Sequence, residues 1–199
     1  MGQLTAFDLD AAIEDGGLVN YVETGTGEGI SLAYAQHKFK DLHSIDIDAD
    51  LIQAALNRFQ GDGSIHLYVG LSRDMLPVVL GELSIEPTLF FLDAHFPGAD
   101  FHKITYEESM ARYQEDAFPL VEELKIITSG RNTSRDVFII DDFSLYEDGD
   151  WEAYAWQYKE LQGELGLATN SNEIYPILSD THVFSIYTAH QGYLMAVPK

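Results

Sequence analysis

Val22-Glu23-Thr24-Gly25-Thr26-Gly27-Glu28-Gly29, followed about twenty residues on by Ser44-Ile45-Asp46-Ile47-Asp48, decides how this chain folds. An apolar run ends in an acid, glycines then fall at alternate positions, and a helix-like segment follows. That order describes a strand, a tight turn whose backbone approaches a ligand, and a helix behind it. The acid at the end of the next strand, Asp46, stands where a doubly wound fold meets ribose hydroxyls. The pairing points to a nucleoside-containing cofactor.

Outward from this stretch, strand-like and helix-like runs alternate. Residues 8–16 read as a leading helix and Leu18 to Thr24 as the first strand. Ile30, Ala33, Tyr34 and His37 share one helical face. Leu42 to Ile47 is a second strand, and Leu51, Ala55, Leu56 and Phe59 mark a second helix face. Ile65 to Val69 is a third strand, followed by a helix over Ser72 to Leu80 that ends at Gly81. Pro87 to Asp93 is almost wholly apolar, as a central parallel strand buried on both faces should be. Pro119 opens a helix carrying Leu120, Val121, Leu124 and Ile127. Asp136 to Asp142 is a fifth strand. Trp151, Tyr154, Tyr158 and Leu161 predict a further helix with Asp150 as its N-cap. Thr181 to Tyr187 and Tyr193 to Val197 form a closing antiparallel hairpin.

The expected fold is therefore α/β: one Rossmann-like, doubly wound, mostly parallel sheet with a C-terminal antiparallel hairpin, in a single domain over 1–199. Right-handed crossovers bring Glu23, Asp46, Asp93, Asp141 and Asp142 to the same edge of that sheet. Residues 96–115 break the rhythm and read as a lid or insertion on the substrate side.

Composition bounds the partners. The chain has 33 Asp and Glu against 11 Lys and Arg, a formal net charge of -22. Phosphate backbones and anionic membranes repel such a surface, so no nucleic acid and no membrane partner is expected. The acidity reads as a solvated surface suited to a salty environment, or as a means of recruiting cations or a basic partner. With no cysteine there is no disulfide framework and no thiolate chemistry. The N-terminus shows no basic or apolar leader, and a cytoplasmic setting is expected. A homodimer is compatible with the sequence and not specified by it.

Glu23-Thr24-Gly25-Thr26-Gly27-Glu28-Gly29 resembles the first loop of the class I S-adenosylmethionine-dependent methyltransferases, and the element order resembles theirs along essentially the whole chain. The resemblance implies that Gly25, Thr26 and Gly27 pass close to the methionyl part of S-adenosylmethionine, with Glu23 near its amino group. It further implies that Asp46 accepts hydrogen bonds from the ribose, with Ile47 beside it. Gly70, Leu71 and Ser72 fall at the adenine end, where relatives often carry an acid and this chain has Leu71. A nicotinamide fingerprint wants its third glycine at the sixth loop position. Here Ile30 occupies that position and the glycine falls at Gly29, which disfavours the competing reading, a nicotinamide-dependent oxidoreductase.

Leu92-Asp93-Ala94-His95 and Ile140-Asp141-Asp142-Phe143 are similar to the metal-binding segments of macrocin-type sugar O-methyltransferases. That similarity implies Asp93, Asp141 and Asp142 as ligands for Mg2+ or another divalent cation, and His95, standing where that family has an acid, as the base. Asp93 also faces the cofactor in this reading. Clustered carboxylates raise one another's pKa, and a cation relieves that conflict. The expected activity is methyl transfer to the hydroxyl of a small-molecule acceptor. A cofactor-binding protein of the same fold without catalysis, and a metal-dependent hydrolase using the acids alone, also compete with it. His37, His43, His66, His182 and His190 lack ligand-like spacing and read as structural, and Trp151 and Trp156 as packing residues.

Overall fold

The computed structural model describes residues 4–151 and 171–199. One sheet organises them, with strands β1 (Asn20–Thr24), β2 (Asp41–Asp46), β3 (Ile65–Val69), β4 (Thr88–Leu92), β5 (Val137–Ile140), β6 (His182–Tyr187) and β7 (Tyr193–Pro198). The order across the sheet is β3-β2-β1-β4-β5-β7-β6. Strands β1 to β5 pair in parallel, β7 runs antiparallel to β5, and β6 closes the hairpin onto β7. The strand order reverses between β1 and β4, which places a crevice at their C-terminal ends.

Helices α1 (Leu9–Gly16), α2 (Ile30–Ala35) and α3 (Ala49–Arg58) cover one face. Helices α4 (Ser72–Glu82), α6 (Leu120–Gly130) and α7 (Ser171–Leu178) cover the other, and α5 (Tyr106–Tyr113) lies between β4 and α6 in the chain. Strand alternation divides the core accordingly. Tyr21, Leu89, Phe91 and Ile139 pack with Leu9, Leu32 and Ala55. Val22, Phe90 and Phe138 pack with Leu76, Leu124 and Ile174. β1 and β4 are buried at every position, which accounts for the near-continuous apolar sequence of β4, while the polar Asn20, Glu23 and Thr24 of β1 find buried hydrogen-bond partners.

Local signals explain most element ends. Asp8 caps α1 by accepting from the Ala11 N–H at 3.1 Å, and Asp48 caps α3 by accepting from Asp50 at 3.0 Å. Other ends depart from the sequence expectation. α2 stops at Ala35, before His37, which takes a φ of 67°. α4 runs through Gly81 to Glu82 and contains Pro77. Pro77 lies on the solvent face, where the carbonyl left without its N–H meets water rather than apolar core. α5 has no counterpart in the sequence expectation, because it is short and mostly polar, although Tyr106, Met110 and Tyr113 fall at helical spacing. The helix expected from Trp151 to Leu161 lies outside the described residues apart from Trp151, whose indole N–H donates to the Glu147 carbonyl at 3.0 Å.

Candidate functional site

The turn after β1 is held from below, since the N–H groups of Gly25 and Thr26 both donate to the Ile45 carbonyl, at 2.8 and 3.2 Å. Gly25 has a φ of 86°, and a Cβ there would stand 2.6 Å from the Asp93 carbonyl oxygen. The glycine is required by the close approach of the loop to the end of β4, as well as by its backbone conformation. Asp46 fastens the loop across the crevice: its Oδ2 accepts from the Gly27 N–H at 2.9 Å and its Oδ1 from the Asp48 N–H at 2.8 Å. Burial raises the Asp46 pKa, and these two N–H donors oppose that rise. Each oxygen retains a lone pair for hydroxyl donors.

These residues line a cavity of about 290 Å³ at the strand ends. Of the residues picked out by sequence, Gly25, Thr26, Gly27, Asp46, Ile47, Gly70, Leu71, Ser72, Asp93, His95 and Asp142 all line it. Glu23 does not: it is fully buried beneath the loop, accepting from Ser44 Oγ at 2.6 Å and from the Tyr21 hydroxyl at 2.5 Å. Ser44 gives its proton to Glu23, so the Thr26 hydroxyl, 2.5 Å from Ser44 Oγ, donates to Ser44. Burial pushes the Glu23 carboxyl up to about 7, against the lowering effect of Ser44 and Tyr21.

Asp141 also sits behind the cavity wall, its Oδ1 accepting from the Asp142 N–H at 2.7 Å. Asp142 has a φ of 49°, a conformation that aspartate tolerates better than most residues. Its Oδ2 lies 2.8 Å from His95 Nε2, and Asp100 Oδ2 lies 3.2 Å from the same nitrogen. His95 Nδ1 is 3.7 Å from Asp93 Oδ1. Burial disfavours the imidazolium, but the carboxylates of Asp142 and Asp100 outweigh it and hold the His95 pKa well above its ordinary value. Burial, then the Asp141 carboxylate, raises Asp93 well above the usual range. One ligand atom from each of Asp93, His95 and Asp142 can be chosen so that all lie within 4.8 Å of one another. That set replaces Asp141 of the sequence expectation with His95.

The sequence reading missed Asp100, whose other oxygen accepts from the Tyr106 hydroxyl at 2.9 Å. Asp100 lies in the 96–115 segment, which is ordered by α5. Thr105 and Glu108 form a reciprocal capping box at its start, a pattern legible as Thr-x-x-Glu. Lys103 pairs with Asp48 and Asp50 beyond β2, and Arg73 pairs with Asp116 at 2.8 Å. The segment is thereby tied down on both sides of the cavity.

No protein-family model and no curated protein matches the sequence. Solved structures do match. A caffeoyl-CoA O-methyltransferase-like protein from Staphylococcus aureus superposes with a TM-score of 0.58 at 14% identity, covering 100% of this chain and 85% of that one. The S-adenosylhomocysteine-bound methyltransferase PaMTH1 from Podospora anserina gives 0.55 at 13% identity, covering 95% and 75%. The N-methyltransferase NodS from Bradyrhizobium japonicum gives 0.53 at 14% identity, covering 96% and 92%. The chain has the fold of the class I S-adenosylmethionine-dependent methyltransferases.

Proposed function

We propose that this protein is an S-adenosylmethionine-dependent methyltransferase acting on the hydroxyl of a small-molecule acceptor. The observation that carries the reading is the meeting, in one cavity, of the Gly25–Gly27 loop and Asp46 with Asp93 and His95. When bound, S-adenosylmethionine supplies a methyl group on a sulfonium for in-line displacement. The residues present fit it: Asp46 offers lone pairs to ribose hydroxyls, and Ile47, Leu51 and Leu71 give apolar walls beside the Gly70 backbone and Ser72.

The chain's own tasks are alignment and proton removal. In the cation-free form the carboxylates of Asp142 and Asp100 favour the charged state of His95, so the hydroxyl proton passes to Asp93 in its ionised form, whose proton affinity burial raises. His95 then balances and positions that carboxyl from 3.7 Å. A cation-assisted form is favoured by one further observation, the grouping of Asp93, His95 and Asp142. Those three would hold the cation, with His95 in its neutral form, and the cation would lower the pKa of a bound hydroxyl. The single-domain chain, a lid over 96–115, a cytoplasmic setting and a homodimer belong to the same proposal. The acidic composition supports a small acceptor over nucleic acid.

Calorimetric titration with S-adenosylmethionine and S-adenosylhomocysteine tests the reading. Binding of both is expected, and no binding by either to folded protein overturns it. Turnover on a panel of hydroxyl acceptors, with EDTA and with Mg2+ restored, separates the cation-assisted form from the cation-free one. Binding without turnover on any acceptor favours a cofactor-binding protein. NADH binding in place of S-adenosylmethionine favours the oxidoreductase.

A further inference from the structure

At the opposite end of β2 from Asp46, the parallel pairing of β2 with β3 sets His43 directly beside His66. The two imidazoles stack with centroids 4.8 Å apart, and Asp41 reaches both. His66 Nε2 is 3.0 Å from Asp41 Oδ1, and His43 Nε2 is 3.3 Å from Asp41 Oδ2. Far apart in the chain, these histidines carry no ligand-like spacing; strand register alone brings them together. Asp41 and Asp46 bound the strand, so along it Asp41 lies about 16 Å and His43 about 10 Å from the cavity residue Asp46.

His43 carries the inference. It is 2% exposed, and its Nε2 has no hydrogen-bond partner, the approach to Asp41 being too bent to count as one. Its other nitrogen fixes its tautomer. The Tyr68 hydroxyl donates to Glu82 at 2.7 Å, so the Tyr68 oxygen accepts at 2.8 Å from His43 Nδ1–H. In the neutral ring the Nε2 lone pair therefore faces a carboxylate across 3.3 Å with nothing bonded between them. A carboxylate relayed to the distal nitrogen of a histidine is the outer arrangement that orients and strengthens an imidazole ligand.

We propose that Asp41, His43 and His66 form a binding site for a divalent transition ion of the zinc class, separate from the cofactor cavity. The three candidate ligand atoms lie within 4.8 Å of one another. Ligands at ~2.1 Å in a tetrahedron stand ~3.4 Å apart, so the three side chains need to draw together by no more than roughly an ångström and a half to close on an ion. Two imidazoles and one carboxylate select zinc, copper or nickel over magnesium and calcium. Asp41 is 28% and His66 44% exposed at the side chain, which gives the ion an entry path and leaves a fourth position to water. Once bound, the ion clamps the edge strand β3 to β2 and, through Tyr68 and Glu82, engages α4.

The test uses the tag-free full chain after EDTA treatment and dialysis. An Asp93→Asn/Asp142→Asn background removes the other cluster. Zn2+ titration by calorimetry should show one equivalent, and Co2+ should develop visible d–d absorption. His66→Ala, at an exposed position that leaves folding intact, should weaken Zn2+ at least about tenfold, and Asp41→Asn should act in the same direction. A hundredfold excess of Zn2+ over its Kd should raise the Tm by about 5 °C or more in the background chain and not in its His66→Ala form. No binding tighter than about 100 µM overturns the proposal, as does an affinity indifferent to both substitutions. Imidazole NMR resonances of His43 and His66 that stay unmoved by Zn2+ overturn it without any variant.

Discussion

Glu23 is a carboxylate that the fold makes expensive to ionise. Folding raises it from an ordinary 4.5 to about 7, burial being the main cause. The folded state thus holds this proton more tightly than the unfolded chain does. Its contribution to stability is complete below about pH 4.5 and is lost as pH rises through about 7, a change of about 3 kcal/mol. Glu123, also buried and raised to about 7, adds a second change of the same sign. Glu23→Gln should remove the first contribution only. Melting curves at pH 5 and pH 8 should show a smaller fall for the variant than for the parent; equal falls would refute the assignment. Asp46→Asn tests a different role. It keeps the size of the side chain but loses the charge on which two N–H groups converge and which, in the proposed function, the ribose hydroxyls share. Hydrogen bonds to a charged group are worth about 1.5–3 kcal/mol, so S-adenosylmethionine affinity should fall by roughly tenfold to a hundredfold. Calorimetry giving an unchanged Kd would remove Asp46 from the cofactor site.

α5 shows how a short and mostly polar element is still specified. Only Ser109 of its residues is fully buried, and its hydroxyl donates to the Pro97 carbonyl at 3.1 Å. Its start rests on the Thr105–Glu108 capping box. Thr105→Ala should cost about 1 kcal/mol locally and speed hydrogen exchange across Tyr106–Tyr113, while β1 and β4 keep their protection. Equal exchange in α5 would mean that packing, not the cap, holds it. The same contrast explains what sequence could reveal. The Gly25–Gly29 loop, the acid at Asp46 and the buried strand Thr88–Leu92 are local patterns and could be read directly. The grouping of His95 with Asp100 and Asp142, and of His43 with His66, depends on crossovers and strand register, which no single stretch encodes. Glu23 was legible as an acid before the loop, but that it turns inward to Tyr21 and Ser44 follows from partners on its own and the neighbouring strand.

At the scale of the whole molecule, charge and the 96–115 segment should respond to salt in opposite directions. A net charge of -22 places most acids beyond the reach of the 11 basic side chains. Among the described residues, Lys38, Arg73, Lys103 and Arg131 form ion pairs with aspartates. The first three are at least partly exposed and worth up to ~1 kcal/mol each, and the buried Arg131–Asp136 pair is little screened, so salt costs little through these pairs. Repulsion among the many remaining acids acts over the whole surface, and the Debye length shortens from ~10 Å at 0.1 M to ~3 Å at 1 M salt. Relief of repulsion should win, raising the Tm by several degrees, about 2–4 °C for each kcal/mol gained in a chain of this size. A flat or falling Tm in KCl would mean that the acidity imposes no strain on the fold. The 96–115 segment follows the other rule, because Lys103 with Asp48 and Asp50 forms an exposed ion-pair group that salt weakens. Hydrogen exchange in α5 should therefore quicken with KCl while the Tm climbs, and Lys103→Ala should abolish the quickening. If α5 instead gains protection in step with the Tm, the segment is held over the cavity by its packing, and the ion pairs at its edges are incidental.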